Sequence, residues 1–206
     1  MSNPNVISEK ELAHNAAMKA LKEEQDRKVA AAKPSNGLLM VHTGDGKGKS
    51  TSAFGMIIRA LGWGHAVAIV QFIKGDWETG EHRFFQLMSD QVQFHVMGEG
   101  FTWDTQNRAR DVAAAQKAWD TVKTLLADSS LNLLVLDELN IAIQYEYLDI
   151  ATVLKDLQTR NTNLHVCITG RNAHPDLIAA ADLVTEMKPI KHPFEKGILA
   201  QAGVDY

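Results

Sequence analysis

The segment His42-Thr43-Gly44-Asp45-Gly46-Lys47-Gly48-Lys49-Ser50-Thr51 joins an apolar run to a helical stretch. Glycines at 44, 46 and 48 let the backbone curl so that successive amide N–H groups point inward. With the positive end of a following helix, such a nest suits a polyphosphate. Lys49 is spaced to reach phosphate oxygens, and the Ser50 hydroxyl to ligate Mg²⁺. Asp45, Lys47 and Thr51 complete the candidate loop. In the pattern G-x-x-x-x-G-K-[ST] the first glycine falls on Thr43, and Asp45 adds a carboxylate beside an anion site, unfavourable unless it points outward. A ligand-free glycine turn is the plainer reading, but Gly-Lys-Ser at a strand-to-helix junction weighs against it. A dinucleotide pattern fits worse: Lys49 stands where Gly44-x-Gly46 needs its third glycine, and Trp103 where Gly98-x-Gly100 needs one.

A second half-site is expected at the end of another buried strand. LNLLVLDELN supplies Asp137 and Glu138 directly after an apolar run, so that one carboxylate can help hold Mg²⁺, directly or through water. Acidic residues also end strands and cap helices for structural reasons. The stretch GEGFTWDTQN places Phe101 and Trp103 on a glycine-flanked segment after a predicted strand, where open α/β sheets bind ligands. These aromatics could face a large flat ligand; by pattern alone, core anchoring is the plainer reading. Arg59 in the helix after the loop and Arg171 after Thr169-Gly170 could each approach phosphate or simply pair on the surface. The eight histidines show no metal-ligand spacing, and Cys167 sits inside an apolar run as a small hydrophobe. No Gly-x-Ser-x-Gly elbow supports a serine hydrolase.

These residues need elements to hold them. Short apolar runs at 38–42, 66–72, 92–97, 131–136, 164–169 and 183–187 are predicted strands. Helical stretches at 49–61, 81–88, 105–127, 150–160 and 175–181 alternate with them. LLMV, AVAIV and LNLLVL lack polar alternation, as strands buried on both faces do. The fold class expected is α/β, a mostly parallel sheet flanked by helices, of the P-loop (RecA-like) NTPase type, over residues 37–206. Residues 1–36 differ: Ala, Glu and Lys dominate 9–33, Ser8 and Glu11 fit a capping box, and Pro34 stops the helix. This N-terminal arm reads as a solvated arm or dimer contact, or as a lid over a ligand. The tail after Lys188 is apolar enough to be expected against the domain. With 206 residues, one cysteine and net charge −4, a disulfide framework, a cysteine-built zinc site and broad nucleic-acid binding are disfavoured. No secretory h-region or membrane span is visible, so a cytoplasmic protein is expected, without membrane or nucleic-acid partners.

Taken in order, TGDGKGKSTSAFG, VQFIKG, GFTWDTQN, LDELN, ITGR and KHPFEKGILAQAGVDY resemble the P-loop type of ATP:corrinoid adenosyltransferases, over residues 38–206. Asp45 stands where that family more usually has Asn, and Ser50 where it more often has Thr; both keep the chemistry. The resemblance implies that Co(I) of a reduced corrinoid attacks the 5′ carbon of ATP and that triphosphate leaves intact. ATP would lie in the loop in the reverse of the usual direction. Residues Gly44 to Thr51 would cradle triphosphate, Lys49 would neutralise it, and Ser50 with Glu138 would hold Mg²⁺, with Asp137 as an alternative or supporting partner. Phe101 and Trp103 would face the corrinoid and displace its lower axial ligand. The N-terminal helix would act as a lid. The implied partners are ATP, cobalamin or cobyrinic acid a,c-diamide, a reducing flavoprotein such as a flavodoxin, and a second copy in a homodimer. A kinase or RecA-like ATPase cleaving the β–γ bond, and a binding module without turnover, are the competing readings.

Overall fold

The computed structural model describes residues 8–33, 35–73, 79–97 and 107–206. Two units are distinguished by their internal contacts, Met1–Ser35 and Asn36–Tyr206.

Among its described residues the first unit holds one helix, α1 (Glu9–Ala31). Ser8 caps it: the Glu11 N–H donates to Ser8 Oγ at 3.3 Å, and the Ser8 N–H donates to Glu11 Oε2 at 2.9 Å. Both orphan donors of this capping box are thereby satisfied. The helix carries no apolar stripe, and none of its residues is buried.

The second unit is built on six parallel strands. They are β1 (Leu39–Thr43), β2 (Val67–Gln71), β3 (Val92–Val96), β4 (Leu133–Asp137), β5 (His165–Thr169) and β6 (Leu183–Glu186), in the order β3-β2-β4-β5-β1-β6. The expectation of a mostly parallel sheet is met by an all-parallel one. Strands β1, β2 and β4 are buried at all five positions, which explains their unalternated apolar runs. Side chains alternate between two cores. Met40, Ile69, Val135 and Cys167 face α2 (Lys49–Gly62) and α3 (Gly80–Gln86) through Phe54, Ile57 and Phe85. Val41, Val70, Leu136 and Ile168 face the other side. There they meet α4 (Arg108–Ala127), α5 (Leu139–Gln144), α6 (Ile150–Gln158) and α7 (Pro175–Ala180). Each fully buried Ile, Leu or Phe contributes about 1.5–3 kcal/mol, so both layers are needed to hold the strands in register.

Two differences from expectation have local causes. The six-residue α5 is absent from the expected elements, because a helix so short shows no periodicity. The tail forms a 3-10 turn, Pro193–Lys196, yet Phe194, Leu199 and Val204 stay exposed. Its end is fastened by a polar contact, Asp205 with Lys47 at 2.5 Å, and Tyr206 is half-buried.

The order of the sheet sets up the site. β5 lies between β1 and β4, so the loops leaving β1, β5 and β4 emerge side by side at one end.

Candidate functional site

The loop after β1 turns through two left-handed glycines, Gly44 at φ 93° and Gly48 at φ 108°. A side chain at either would be strained, and at Gly44 a Cβ would come within 2.4 Å of the Met187 carbonyl oxygen. The backbone leaving β6 buttresses this loop, because Met187 donates its N–H to Thr43 O at 2.8 Å. Its carbonyl accepts the Gly46 N–H at 2.7 Å. The Gly46 amide, expected to face a phosphate, is thus already paired. Nothing in the sequence near the loop announces that strut.

Helices α1, α3, α4, α6 and α7 each begin with a side chain accepting from a first-turn amide. Helix α2 does not: its cap is Gly48, and no side chain accepts from its first turn. The positive end of α2 is therefore available to an anion. Lys49 is buried, with 7% exposure, and its Nζ donates to Gly46 O at 2.8 Å. Burial lowers its pKa, with Glu138 pulling the other way and Arg171 reinforcing the drop. Ser50 is half-buried, while Asp45, Lys47 and Thr51 are exposed. Asp45 therefore sits in water, as a carboxylate beside an anion site must.

Across β5, Asp137 ends β4. Its Oδ2 accepts from Gln71 Nε2 at 2.9 Å and its Oδ1 from Thr169 Oγ1 at 2.7 Å. Each oxygen thus accepts one bond from a neighbouring strand, which holds Asp137 beside Glu138. The same Thr169 hydroxyl accepts the Glu138 N–H at 3.0 Å. Glu138 stands at φ 61°, a left-handed conformation rare for a residue with a side chain. Strain of this kind persists where surrounding bonds over-determine it. The half-buried Glu138 carboxyl is pushed up to about 7, first by burial and then by the Asp137 charge, while Lys49 and Arg171 oppose the shift. A nearby positive charge favours the ionised form of such a buried carboxyl.

The structure therefore brings Lys49, Ser50 and Glu138 to one mouth, with Asp137 behind Glu138. It also brings Arg171, one of two arginines weighed. It does not bring Arg59, which is exposed in the last turn of α2, about 15 Å along the helix axis from Lys49. Phe101 and Trp103 lie outside the described residues. Cys167 is fully buried and its thiol is pushed up to about 12 by burial and the Asp137 charge, which makes it inert at neutral pH. Gln71, Thr169 and Asn140 were missed by sequence reasoning, because each acts on a neighbour from another strand or loop.

A glycine-turned phosphate loop facing a strand-end carboxylate fits a family of defined chemistry. Residues 35–206 match the family model described as ATP:corrinoid adenosyltransferase BtuR/CobO/CobP. The chain belongs to that family. Three relatives share nearly their whole length with it. A corrinoid adenosyltransferase of Pseudomonas aeruginosa is 52% identical over 98% of this chain and 100% of that protein. One from a Sinorhizobium species is 50% identical over 97% of this chain and 94% of that protein. One from Escherichia coli (strain K12) is 47% identical over 90% of this chain and 94% of that protein. As an ATP:corrinoid adenosyltransferase the chain is an enzyme of the transferase class. No helix among its described residues is long and apolar enough to cross a membrane.

Proposed function

We propose that this chain transfers the 5′-deoxyadenosyl group of ATP to the Co(I) centre of a reduced corrinoid and releases inorganic triphosphate. The observation that carries the phosphate half is the buried Lys49 at the foot of an uncapped helix, facing Glu138 across β5. Membership of the ATP:corrinoid family supports the other half.

The electron pair of Co(I) attacks C5′, the C5′–O5′ bond breaks, and its pair leaves with the triphosphate. Cobalt becomes formally Co(III). The chain's task is to grip the leaving group. The loop from Gly44 to Thr51 cradles it, and Lys49 neutralises the charge that grows on it, the electrostatic contribution that dominates such steps. No protein base is needed, because Co(I) has no proton to lose.

Ser50 and Glu138 suit Mg²⁺, which takes one or two protein oxygens and fills its other positions with phosphate and water. A carboxyl at the same mouth as Lys49 and Ser50, raised by burial and by the Asp137 charge, is the observation that fits this. A Mg²⁺ held by these two side chains would screen the triphosphate charge. Asp137 and Thr169 keep Glu138 in place. Phe101 and Trp103 face the corrinoid in this reading, and α1 closes over it. Cobalamin or cobyrinic acid a,c-diamide is the acceptor, a flavodoxin-type protein the reductant, and a homodimer the working form.

The test is an anaerobic reaction of the whole chain with MgATP and chemically reduced cob(I)alamin. The corrinoid spectrum and the ³¹P NMR spectrum are followed together. Light-sensitive adenosylcobalamin with intact triphosphate supports the reading. ADP with phosphate and no new cobalt–carbon bond overturns it in favour of β–γ cleavage.

A further inference from the structure

The loop leaving β5 carries one cation that no role above uses. Residues 169–173 are fixed from several sides. Thr169 donates to Asp137, and the Gly170 carbonyl accepts from Asn140 Nδ2 at 2.8 Å. Asn172 Nδ2 donates to Gln144 Oε1 at 3.2 Å, and the Ala173 N–H donates to Thr43 Oγ1 at 3.1 Å. Thus elements from both the phosphate-loop strand and the Glu138 side hold it. Two of these residues are in the left-handed region, Gly170 at φ 128° and Asn172 at φ 51°. Gly170 has no room for a side chain, because a Cβ would lie 2.8 Å from Asn140 Cβ and 3.1 Å from Glu138 Oε2.

Asn140 is fully buried, and its Oδ1 has no partner among the described residues. A bare buried acceptor is costly, and this one sits on the α5 side chain whose Nδ2 clamps the Gly170 carbonyl. Rigid, strained backbone of this kind positions something. The charged side chain it presents is Arg171, exposed and without a hydrogen bond or ion pair among the described residues. Its guanidinium is close enough to Lys49 and Glu138 to bias the protonation of both. Two like charges, Lys49 and Arg171, thus face one mouth. Glu138 offsets part of their charge in the free protein, and a polyanion with several charged oxygens engages both cations at once.

We propose that Arg171 is a second cationic ligand of the leaving triphosphate, opposite Lys49, and a catalytic residue of the transfer. The proposal rests on the reading that triphosphate departs whole. When C5′–O5′ breaks, one further negative charge develops on the triphosphate. A guanidinium already aimed at it binds the transition state better than the ground state. Its planar fork matches two phosphate oxygens at once, which an ammonium cannot do.

The test compares wild type, Arg171→Ala and Arg171→Lys in the full-length chain. Three quantities are read: the single-turnover rate with excess cob(I)alamin, the calorimetric affinity for inorganic triphosphate with Mg²⁺ and no corrinoid, and the melting temperature. Arg171→Ala is expected to slow the single turnover about 100-fold, the usual effect of removing one charge-stabilising donor. It should also weaken triphosphate binding at least about tenfold while leaving melting unchanged, since Arg171 is exposed and makes no hydrogen bond or ion pair among the described residues. Arg171→Lys should recover part of both losses. An alanine variant within about threefold of wild type in rate and triphosphate affinity overturns the proposal. If wild type yields ADP, the transfer reading itself fails, and the triphosphate affinities still report on the contact alone.

Discussion

Replacing Thr169 by valine tests the support behind Glu138. Thr169 is fully buried, and its hydroxyl serves twice, as donor to Asp137 and as acceptor for the Glu138 N–H. Valine keeps the volume and removes the hydroxyl. Asp137 keeps only the bond from Gln71, and the Glu138 N–H loses its acceptor. A hydrogen bond to a charged group is worth about 1.5–3 kcal/mol, and an orphaned buried donor costs about 1–3 kcal/mol. The two losses share one hydroxyl and overlap, so the total should be about 3 kcal/mol rather than their sum. For a unit of roughly 170 residues that corresponds to about 6–12 °C in melting temperature. Thr169→Ser keeps the hydroxyl and loses one methyl, about 1 kcal/mol. Thermal and urea unfolding of both variants give the comparison. Activity measured against Mg²⁺ concentration then shows whether a freed Glu138 demands more metal. A valine variant as stable as the serine variant, with an unchanged Mg²⁺ requirement, would refute the relay.

Four further outcomes are expected. Burial depresses the pKa of His165, and its neutral Nδ1 accepts the Leu38 N–H at 3.0 Å. Between the depressed pKa and the ordinary value the unfolded chain binds more protons, so stability falls as pH drops below about 6.5, and His165→Gln should flatten that slope in urea midpoints. The Cys167 thiol stays protonated well above pH 9, so a disulfide reagent at pH 8 should titrate no thiol in the native chain and one after denaturation; rapid native labelling would contradict its burial. Gly44→Ala should abolish ATP binding by driving its Cβ toward the Met187 carbonyl, whereas Gly55→Ala, with open space around it in α2, should raise stability by up to about 1 kcal/mol; equal behaviour of the two would undo the close-approach reasoning. Removing residues 1–35 should leave the melting of the second unit unchanged while weakening corrinoid binding; unaltered corrinoid affinity would retire the lid.

Much of this is legible in the sequence. The runs LLMV and LNLLVL announce strands covered on both faces, and the glycines with Lys49 announce the phosphate loop, because both signals are local. Glu138 was legible beside Asp137, but not which of the two faces the mouth. That is decided by Gln71 and Thr169, which reach Asp137 from neighbouring strands. Arg59 and Arg171 read alike in sequence. Helix length carries one away, and the clamp of Asn140 on Gly170 holds the other in place. The strut from Met187 to Gly46 and the pairing of Lys47 with Asp205 join positions about 140–160 residues apart, beyond any periodicity or motif.

The central claim is attack at the 5′ carbon. It is tested most directly with ATP carrying ¹⁸O in the bridge between C5′ and the α-phosphorus, in a single turnover with cob(I)alamin. Adenosyl transfer breaks C5′–O5′, so mass spectrometry should find the label in inorganic triphosphate and none in the corrinoid product. Label retained with the nucleoside, accompanied by ADP, would contradict the account.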